Sequence, residues 1–154
     1  KWRARSFFLK INNIKKMIPK ILSGGSHSEA RGTVRFKNSF DATAIKRIYL
    51  IENSETTFVR GWQGHRIEQR WFSVLQGSFR IELIAIDDWD NPSKDLERFS
   101  FIVDAETLNV LHVPSGYVSS IQSLEEGAKL LVMADYLLGE VQDEYRFDID
   151  YFKV

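Results

Sequence analysis

Residues 78–83 read Ser-Phe-Arg-Ile-Glu-Leu, so polar and apolar side chains alternate without a break. Because successive side chains of a β-strand point to opposite faces, this alternation predicts a strand with one buried and one solvated face. Phe99, Phe101 and Val103 mark one face of a second strand in the same way. The same period continues in both directions along the chain.

Six further segments have the composition of short strands, and turn signals such as Gln-Gly at 76–77 and Asp-Asn-Pro-Ser at 90–93 separate them. About eight short strands at this spacing predict an all-β sandwich or barrel with a pocket between its sheets. Only residues 1–22 and the last dozen residues have a pattern compatible with a helix. The six segments are 33–36, 45–52, 71–75, 108–113, 117–123 and 129–136.

The composition limits the chemistry that this chain can perform. A length of 154 residues fits one domain with a sizeable core. Cysteine is absent, which excludes thiol catalysis and a disulfide framework and is compatible with a reducing cytoplasm. Only three histidines, His27, His65 and His112, are available for proton transfer near neutral pH.

The first 22 residues differ from the rest of the chain because they carry seven Lys or Arg and no Asp or Glu. Such a segment is compatible with a membrane-surface helix, a nucleic-acid arm or a plain extension. We favour the extension, and expect no nucleic-acid partner. No apolar run approaches the roughly 20 residues of a membrane span. The predicted organisation is an extension at 1–22, then one domain at 23–154 that begins with a Gly/Ser turn.

Polar residues at inward positions of such a barrel need a partner or a ligand, because burial of a polar or charged group is costly. Five residues meet this description. They are Arg60, Gln63, His65, Ser119 and Tyr136.

Four separated motifs resemble those of one family of metal-free cupins. Residues 29–32 (Glu-Ala-Arg-Gly) look like its opening Arg-Gly turn, and 45–49 (Ile-Lys-Arg-Ile-Tyr) are similar to its IKR-x-Y strand. Residues 60–66 (Arg-Gly-Trp-Gln-Gly-His-Arg) are similar to its RG-x-HAHK segment, and 133–136, 143–146 and 151–152 to its C-terminal signature. The chain is thus similar, from about residue 28 to its end, to the WxcM-like sugar 3,4-ketoisomerases, and more loosely to the 3,5-epimerases of rhamnose biosynthesis. The resemblance implies a cupin-type (RmlC-like) jelly-roll β-barrel.

The metal ligands of a typical cupin are largely replaced in this chain. Gln63-Gly64-His65 keeps one histidine of the usual pair, and Gln69 or Arg70 stands where the carboxylate would be. The segment 114–119, which would carry the fourth ligand, ends in serine. Zinc and other transition metals require several imidazole or carboxylate donors. We therefore predict no metal site and no other cofactor.

Gln63 is the sharpest departure from the related families, because the 3,5-epimerases have their catalytic base at this position and an amide is not basic. His65 then remains as the candidate base of a ketoisomerase. The substrate that the resemblance implies is a nucleotide-linked sugar, most simply a dTDP-4-keto-6-deoxyhexose. The predicted catalytic residues are His65 and Tyr136, and the predicted substrate-binding residues are Arg31, Tyr49, Arg60, Gln63, Arg70 and Ser119.

Alternative interpretations remain at several of these positions. Arg60 has a structural alternative, an ion pair with Glu68 or Glu82. His112 is expected in the core or the pocket wall, and His27 in solvent. The protein itself is either an isomerase of surface-polysaccharide biosynthesis, a sugar-binding cupin with little or no activity, or a 3,5-epimerase-like protein. The resemblance also implies a homodimer, and we expect a cytoplasmic location.

Overall fold

The computed structural model describes residues 17–153, which form strands joined by turns and contain no helix. This part of the chain therefore has no helix that could cross a membrane. Twelve strands follow one another along the sequence. They are β1 (Lys20–Leu22), β2 (Gly25–Glu29), β3 (Gly32–Phe36), β4 (Arg47–Ile51), β5 (Val59–His65), β6 (Arg70–Gln76), β7 (Ser78–Ala85), β8 (Arg98–Asp104), β9 (Val110–Val113), β10 (Tyr117–Ser123), β11 (Lys129–Ala134) and β12 (Tyr145–Arg146).

Ten of these strands form two five-stranded sheets, and every recorded pairing is antiparallel. The first sheet has the order β1-β9-β6-β11-β4, and the second has the order β12-β5-β10-β7-β8. A separate hairpin joins β2 to β3. The predicted all-β jelly roll is confirmed. The two sheets are not joined by hydrogen bonds into one closed barrel, so the architecture is a sandwich.

The core lies between the two sheets and contains the alternate residues that the period-two pattern predicts. Phe79, Ile81 and Leu83 of β7 are fully buried in one apolar cluster with Phe72 and Val74 of β6. Burial of each such side chain stabilises the fold by roughly 1.5–3 kcal/mol. This apolar packing holds the sheets face to face and leaves the end of the sandwich near β4 and β5 for polar residues.

The structure corrects the predicted secondary structure at both ends of the chain. The sequence predicts a turn or linker at residues 23–28, but residues 25–29 form the strand β2 of an exposed hairpin, whose side chains do not show the buried apolar face that a strand prediction relies on. The last dozen residues, compatible with a helix from the sequence, contain the short strand β12 and turns. Residues 20–22 of the predicted extension pair with β9. The remainder of that extension, up to residue 16, lies outside the described residues.

Strand β5 carries residues 60–65 of the segment 60–66 and is held on both sides in the second sheet, between β12 and β10. Trp62 faces away from the cavity described below and packs edge-on against Phe152 at 5.5 Å, whereas Gln63 and His65 face it. Gly64 lies so close to β10 that an added Cβ would collide with the carbonyl oxygen of Tyr117. The glycine therefore allows the close strand contact that aims Gln63 and His65 at one cavity.

Candidate functional site

A cavity of about 910 Å³ opens at one end of the sandwich. Its walls come from β4, from β5, from the start of β6 and from residues in the segment 137–145. A small recess of about 40 Å³ adjoins it and is lined by Ser119 of β10 and by the inner side chains of the same strands. The lining residues come from parts of the chain as far apart as Arg47 and Tyr145, which the fold brings together.

His65 is held by hydrogen bonds at both ring nitrogens. Its Nδ1 lies 2.7 Å from the backbone carbonyl oxygen of Asp143, and its Nε2 lies 2.7 Å from Nη2 of Arg70. A guanidinium group can only donate, and a carbonyl oxygen can only accept. The imidazole is therefore neutral, with its proton on Nδ1 and its lone pair on Nε2.

The surroundings favour this neutral state. Burial, together with the positive charge of Arg70, lowers the pKa of His65 from 6.5 to about 4. Glu68, whose Oε2 lies 2.9 Å from Nη2 of Arg70 and 2.9 Å from Nδ1 of His65, has its pKa raised by burial, against the opposing effect of Arg70 and Arg47. His65, Glu68 and Arg70 therefore form one cluster. Within it, the positive charge of Arg70 partly compensates the negative charge of the buried Glu68 carboxylate.

Two guanidinium groups flank the ring of Tyr49. Arg47 lies 5.1 Å and Arg70 lies 5.9 Å from the ring centroid, within the range of a cation–π contact. Nε of Arg47 and Nη1 of Arg70 are buried and have no hydrogen-bond partner among residues 17–153. A buried donor without an acceptor lowers the stability of the fold by roughly 1–3 kcal/mol. A ligand oxygen that came within hydrogen-bonding distance of these atoms would remove this cost.

Gln63 and Glu144 form a polar pair on the opposite wall. Nε2 of Gln63 donates to Oε1 of Glu144 at 2.7 Å, and Nε of Arg146 donates to the same oxygen at 2.9 Å. The hydrogen bond from Arg146 is the main cause that lowers the pKa of Glu144. The pair thus presents an oriented amide and an ionised carboxylate to the cavity.

Asp143 connects the C-terminal segment to the turn after β5. Its carboxylate accepts hydrogen bonds from the backbone N–H groups of Arg66 at 2.8 Å, Ile67 at 2.8 Å and Glu68 at 2.7 Å. Because the same residue's carbonyl oxygen accepts from His65, one residue orients both the turn and the imidazole.

Five of the predicted site residues line the main cavity, and one lines the recess. Arg60 makes no ion pair within residues 17–153, because Glu68 pairs with Arg70 and Arg47, and Glu82 pairs with Arg98 at 2.9 Å. The predicted alternative of a structural Arg60 ion pair is therefore wrong. The five cavity residues are Tyr49, Arg60, Gln63, His65 and Arg70, and the recess residue is Ser119.

Two predicted site residues lie elsewhere. Arg31 is at the exposed tip of the β2–β3 hairpin and pairs with Glu29. Tyr136 is half-buried outside the cavity lining, and Nζ of Lys46 lies 5.6 Å from its ring centroid. Both residues are predicted from their positions in the family motifs. Whether their side chains reach the cavity depends on the tertiary structure around them.

The two remaining histidines are accounted for outside the cavity. His112 is buried, stacks on Trp71 with ring centroids 5.1 Å apart, and has its Nε2 2.7 Å from Oε1 of Gln69. His27 is exposed in β2.

One cluster in the described part of the chain has the residue types of a metal site. Donor atoms of His65, Glu68 and Asp143 lie within 4.8 Å of one another. Both oxygens of Asp143 already accept backbone N–H groups, and Arg70 contacts both His65 and Glu68. A guanidinium group at this position repels a cation and occupies its ligands, so these residues fit a metal poorly.

Sequence patterns did not identify four residues of the site as functional. From the sequence, Glu68 is expected only as an alternative ion-pair partner of Arg60. Arg47, Asp143 and Glu144 occur within the family motifs, but no role is predicted for them. The sequence feature that could have identified them is a group of charged residues beside a strand that is predicted to line the pocket. Which of them turn inward depends on tertiary contacts.

A family model described as FdtA: WxcM-like, C-terminal matches residues 13–154. No curated protein matches the chain significantly. The fold resembles a histidine-to-asparagine mutant of the 3,4-ketoisomerase QdtA from Thermoanaerobacterium thermosaccharolyticum in complex with TDP-4-keto-6-deoxyglucose. This match has a TM-score of 0.64 and 22% identity, and covers 84% of this chain and 87% of that one.

Two further solved structures share the fold. The TDP-quinovose 3,4-ketoisomerase WlaRB from Campylobacter jejuni has a TM-score of 0.65 and 22% identity, over 87% of this chain and 95% of that chain. The dTDP-4-dehydrorhamnose 3,5-epimerase from Elizabethkingia anophelis NUHP1 has a TM-score of 0.67 and 13% identity, over 86% of this chain and 76% of that chain.

Proposed function

The chain belongs to the WxcM-like, C-terminal family, and on this premise we propose that it is an isomerase that moves the carbonyl group of a dTDP-4-keto-6-deoxyhexose from C4 to C3. The observation that carries the proposal is the neutral imidazole of His65 among guanidinium groups in a cavity of about 910 Å³. Ligand pockets of roughly 300–1,000 Å³ are typical for small molecules and cofactors. Neighbouring folds with 3,4-ketoisomerase activity support the same reaction class.

The reaction needs a base for the proton on C3 and donors for the oxyanion that forms at C4. A neutral imidazole accepts a proton and its conjugate acid returns it, which suits His65. Preorganised donors stabilise the oxyanion, and Arg70, Tyr49 and the Gln63 amide are positioned for this role.

Substrate binding involves the rest of the cavity. We assign the diphosphate to Arg60, whose charge has no carboxylate partner within residues 17–153. Ser119 would contact the sugar in the recess. Arg31 and Tyr136 remain predictions from motif position, and we assign neither a step because neither lines the cavity.

Deuterium exchange at C3 of dTDP-4-keto-6-deoxyglucose tests the enzymatic proposal. Wild-type protein in deuterated water should exchange this proton, and His65→Asn should lose the exchange by at least about a hundredfold, as expected for loss of a general base. His112→Asn is the matched control and should exchange at the wild-type rate, because His112 lies outside the cavity. Equal rates for wild type and His65→Asn would contradict the assignment of the base.

A second function is favoured by one specific observation. Arg70 covers the lone pair of His65, and Gln63 offers no basic nitrogen, so neither position of the histidine pair holds a free imidazole base in the described part of the chain. This arrangement suits a protein that binds a nucleotide-sugar without converting it. Calorimetric binding of the dTDP-sugar with no exchange by wild type on several nucleotide-sugars would support the binding function and rule out the isomerase.

We also propose that two copies associate through the outer face of the first sheet. Ile48 and Leu50 of the edge strand β4 are 65% and 52% exposed, and their register partners on β11 are Met133 and Leu131. Met133 is buried and Leu131 is partly buried, so the exposed apolar surface consists of Ile48 and Leu50, and such a surface on an edge strand indicates an interaction site. Action on a nucleotide-sugar for surface polysaccharide and a cytoplasmic location complete the proposal, supported by the family and by the absence of cysteine.

A further inference from the structure

The lone pair of His65 is covered in this structure. Nη2 of Arg70 donates to Nε2 at 2.7 Å, while Nδ1 is held by the carbonyl oxygen of Asp143 at 2.7 Å. The only ring nitrogen that can take a proton is therefore engaged by a donor. A base in this state cannot act until the guanidinium group gives up the contact.

Arg70 is held in a way that allows this release. Its Nη2 is shared between Nε2 of His65 and Oε2 of Glu68, the second at 2.9 Å. Its Nη1 is buried and has no hydrogen-bond partner in the described part of the chain. The guanidinium group thus has an unused donor, and Glu68 can hold it while it turns away from the imidazole.

The cavity has room for the oxygen that would take over the contact. Arg70 and His65 line both the main cavity and the recess of about 40 Å³ beside it. A carbonyl oxygen that entered the recess would meet Arg70 from the side of the ligand. It would accept a hydrogen bond from Arg70 in place of Nε2 of His65.

We propose that Arg70 is a gate on His65 that the ligand opens, in which the C4 carbonyl oxygen of the bound sugar accepts from Arg70 and thereby frees Nε2. The inference rests on the proposed function for its ligand. Arg70 is thus a positioning residue as well as a binding residue: it keeps the base masked in the empty site and unmasks it only when the carbonyl group is in place.

The resulting step is balanced without any further reactant. Freed Nε2 takes the proton from C3, the electrons of the C–H bond form the C3–C4 double bond, and those of the carbonyl group move to the C4 oxygen, where Arg70 stabilises them. The hydroxyl proton at the C3 oxygen then passes to the C4 oxygen. Collapse of the enediolate forms the C3 carbonyl, and Nε2–H returns its proton to C4.

The charged groups around His65 determine how its titration reports on the gate. Burial and Arg70 disfavour the imidazolium, whereas the carbonyl of Asp143 and the charges of Asp143 and Glu144 favour it. Glu68 lies 2.9 Å from Nδ1, and Arg47 pairs with Glu68 at 3.9 Å. Loss of the Arg70 contact should therefore raise the pKa of His65, but only part of the way to its ordinary value, because burial remains.

Nitrogen NMR of the labelled histidines tests the gate directly in the intact protein. In the empty wild type, Nε2 of His65 should give the signal of an unprotonated acceptor down to about pH 4. Saturation with dTDP-4-keto-6-deoxyglucose should move this signal, and dTDP alone, which lacks the carbonyl group, should not. No movement with the ketosugar, or the same movement with dTDP alone, would overturn the proposal.

Two variants make the test independent of the ligand. Arg70→Gln removes the charge and should raise the His65 pKa in the empty protein, whereas Arg70→Lys keeps a donor and should leave it closer to wild type. If Arg70→Gln does not fold, the ligand titration of the wild type and the Lys variant decide the question. Arg60→Gln is the matched control, because Arg60 lines the same cavity without a hydrogen bond to His65, and it should leave the pKa unchanged.

The outcome is separable from that of the function itself. If wild type fails to exchange the C3 proton while the ketosugar still moves the Nε2 signal, the gate stands and the isomerase proposal fails. If wild type exchanges the proton and the signal does not move, the gate fails and the isomerase stands.

Discussion

His65 shows how neighbouring groups determine the chemistry of a single side chain. Two hydrogen bonds fix its tautomer, and burial with the charge of Arg70 keeps it neutral. The same residue in an exposed loop would titrate near 6.5 and would be charged in part at neutral pH. The chemical role of His65 therefore depends on its contacts more than on its being a histidine.

A pH dependence of stability follows from the depressed pKa of His65. Between about pH 4 and pH 6.5 the unfolded chain binds a proton at this site that the folded chain does not, so the free energy of unfolding falls as the pH falls through this window. At about 1.4 kcal/mol per pKa unit, the wild type should lose about 2 kcal/mol more than His65→Asn between pH 7.5 and pH 5. Urea unfolding at both pH values measures this difference, and equal losses would show that His65 titrates normally.

At the scale of elements, the segment that follows β11 acts as one wall of the site. Asp143 binds three consecutive backbone N–H groups of the turn after β5, and the short strand β12 pairs with β5 just beyond it. The turn carries Glu68 and leads into Arg70. A contact 75 residues apart along the chain thus positions the charged groups around the imidazole.

Asp143→Asn tests this connection. The amide cannot accept hydrogen bonds at both ends of the side chain, so the charge-assisted bonds to Ile67 and Glu68 or the bond to Arg66 are lost. We expect the free energy of unfolding to fall by about 2–4 kcal/mol. The exposed neighbour Glu144→Gln is the control and should cost less than about 1 kcal/mol in the same urea titration. A similar cost for both variants would show that Asp143 does not hold the turn.

At the scale of the whole molecule, both sheets end in an edge strand with an exposed isoleucine, but their surroundings differ. Ile48 of β4 is 65% exposed and has the apolar Met133 of β11 as its register partner, whereas Ile102 of β8 is 60% exposed and has the charged Arg80 of β7 as its partner. The proposed association of two copies uses only the first of these faces.

The pair of isoleucines provides a matched test of association. Ile48→Glu should convert a dimer into a monomer, because it places a charge in the apolar contact, whereas Ile102→Glu should leave the dimer intact. Sedimentation equilibrium of wild type and both variants measures this. A monomeric wild type at about 100 μM, or an equal effect of the two substitutions, would contradict the proposed interface.

Alternation along 78–83 and in the other segments was enough to predict an all-β sandwich or barrel, because it specifies which face of each strand is buried, and the resemblance of the family motifs added the jelly-roll topology. The resemblance of the motifs to the family also predicted six residues that line the cavity or its recess, and these lie on β4, β5, β6 and β10. Tertiary structure alone decided the placement of Arg31 and Tyr136, the strand at 25–29, and the contacts of Glu68, Asp143 and Arg70. Strand periodicity can be predicted because it depends on residues that are neighbours in the sequence. The protonation state of a buried imidazole depends on charged groups that are far apart in the sequence and come within hydrogen-bonding distance only in the folded protein.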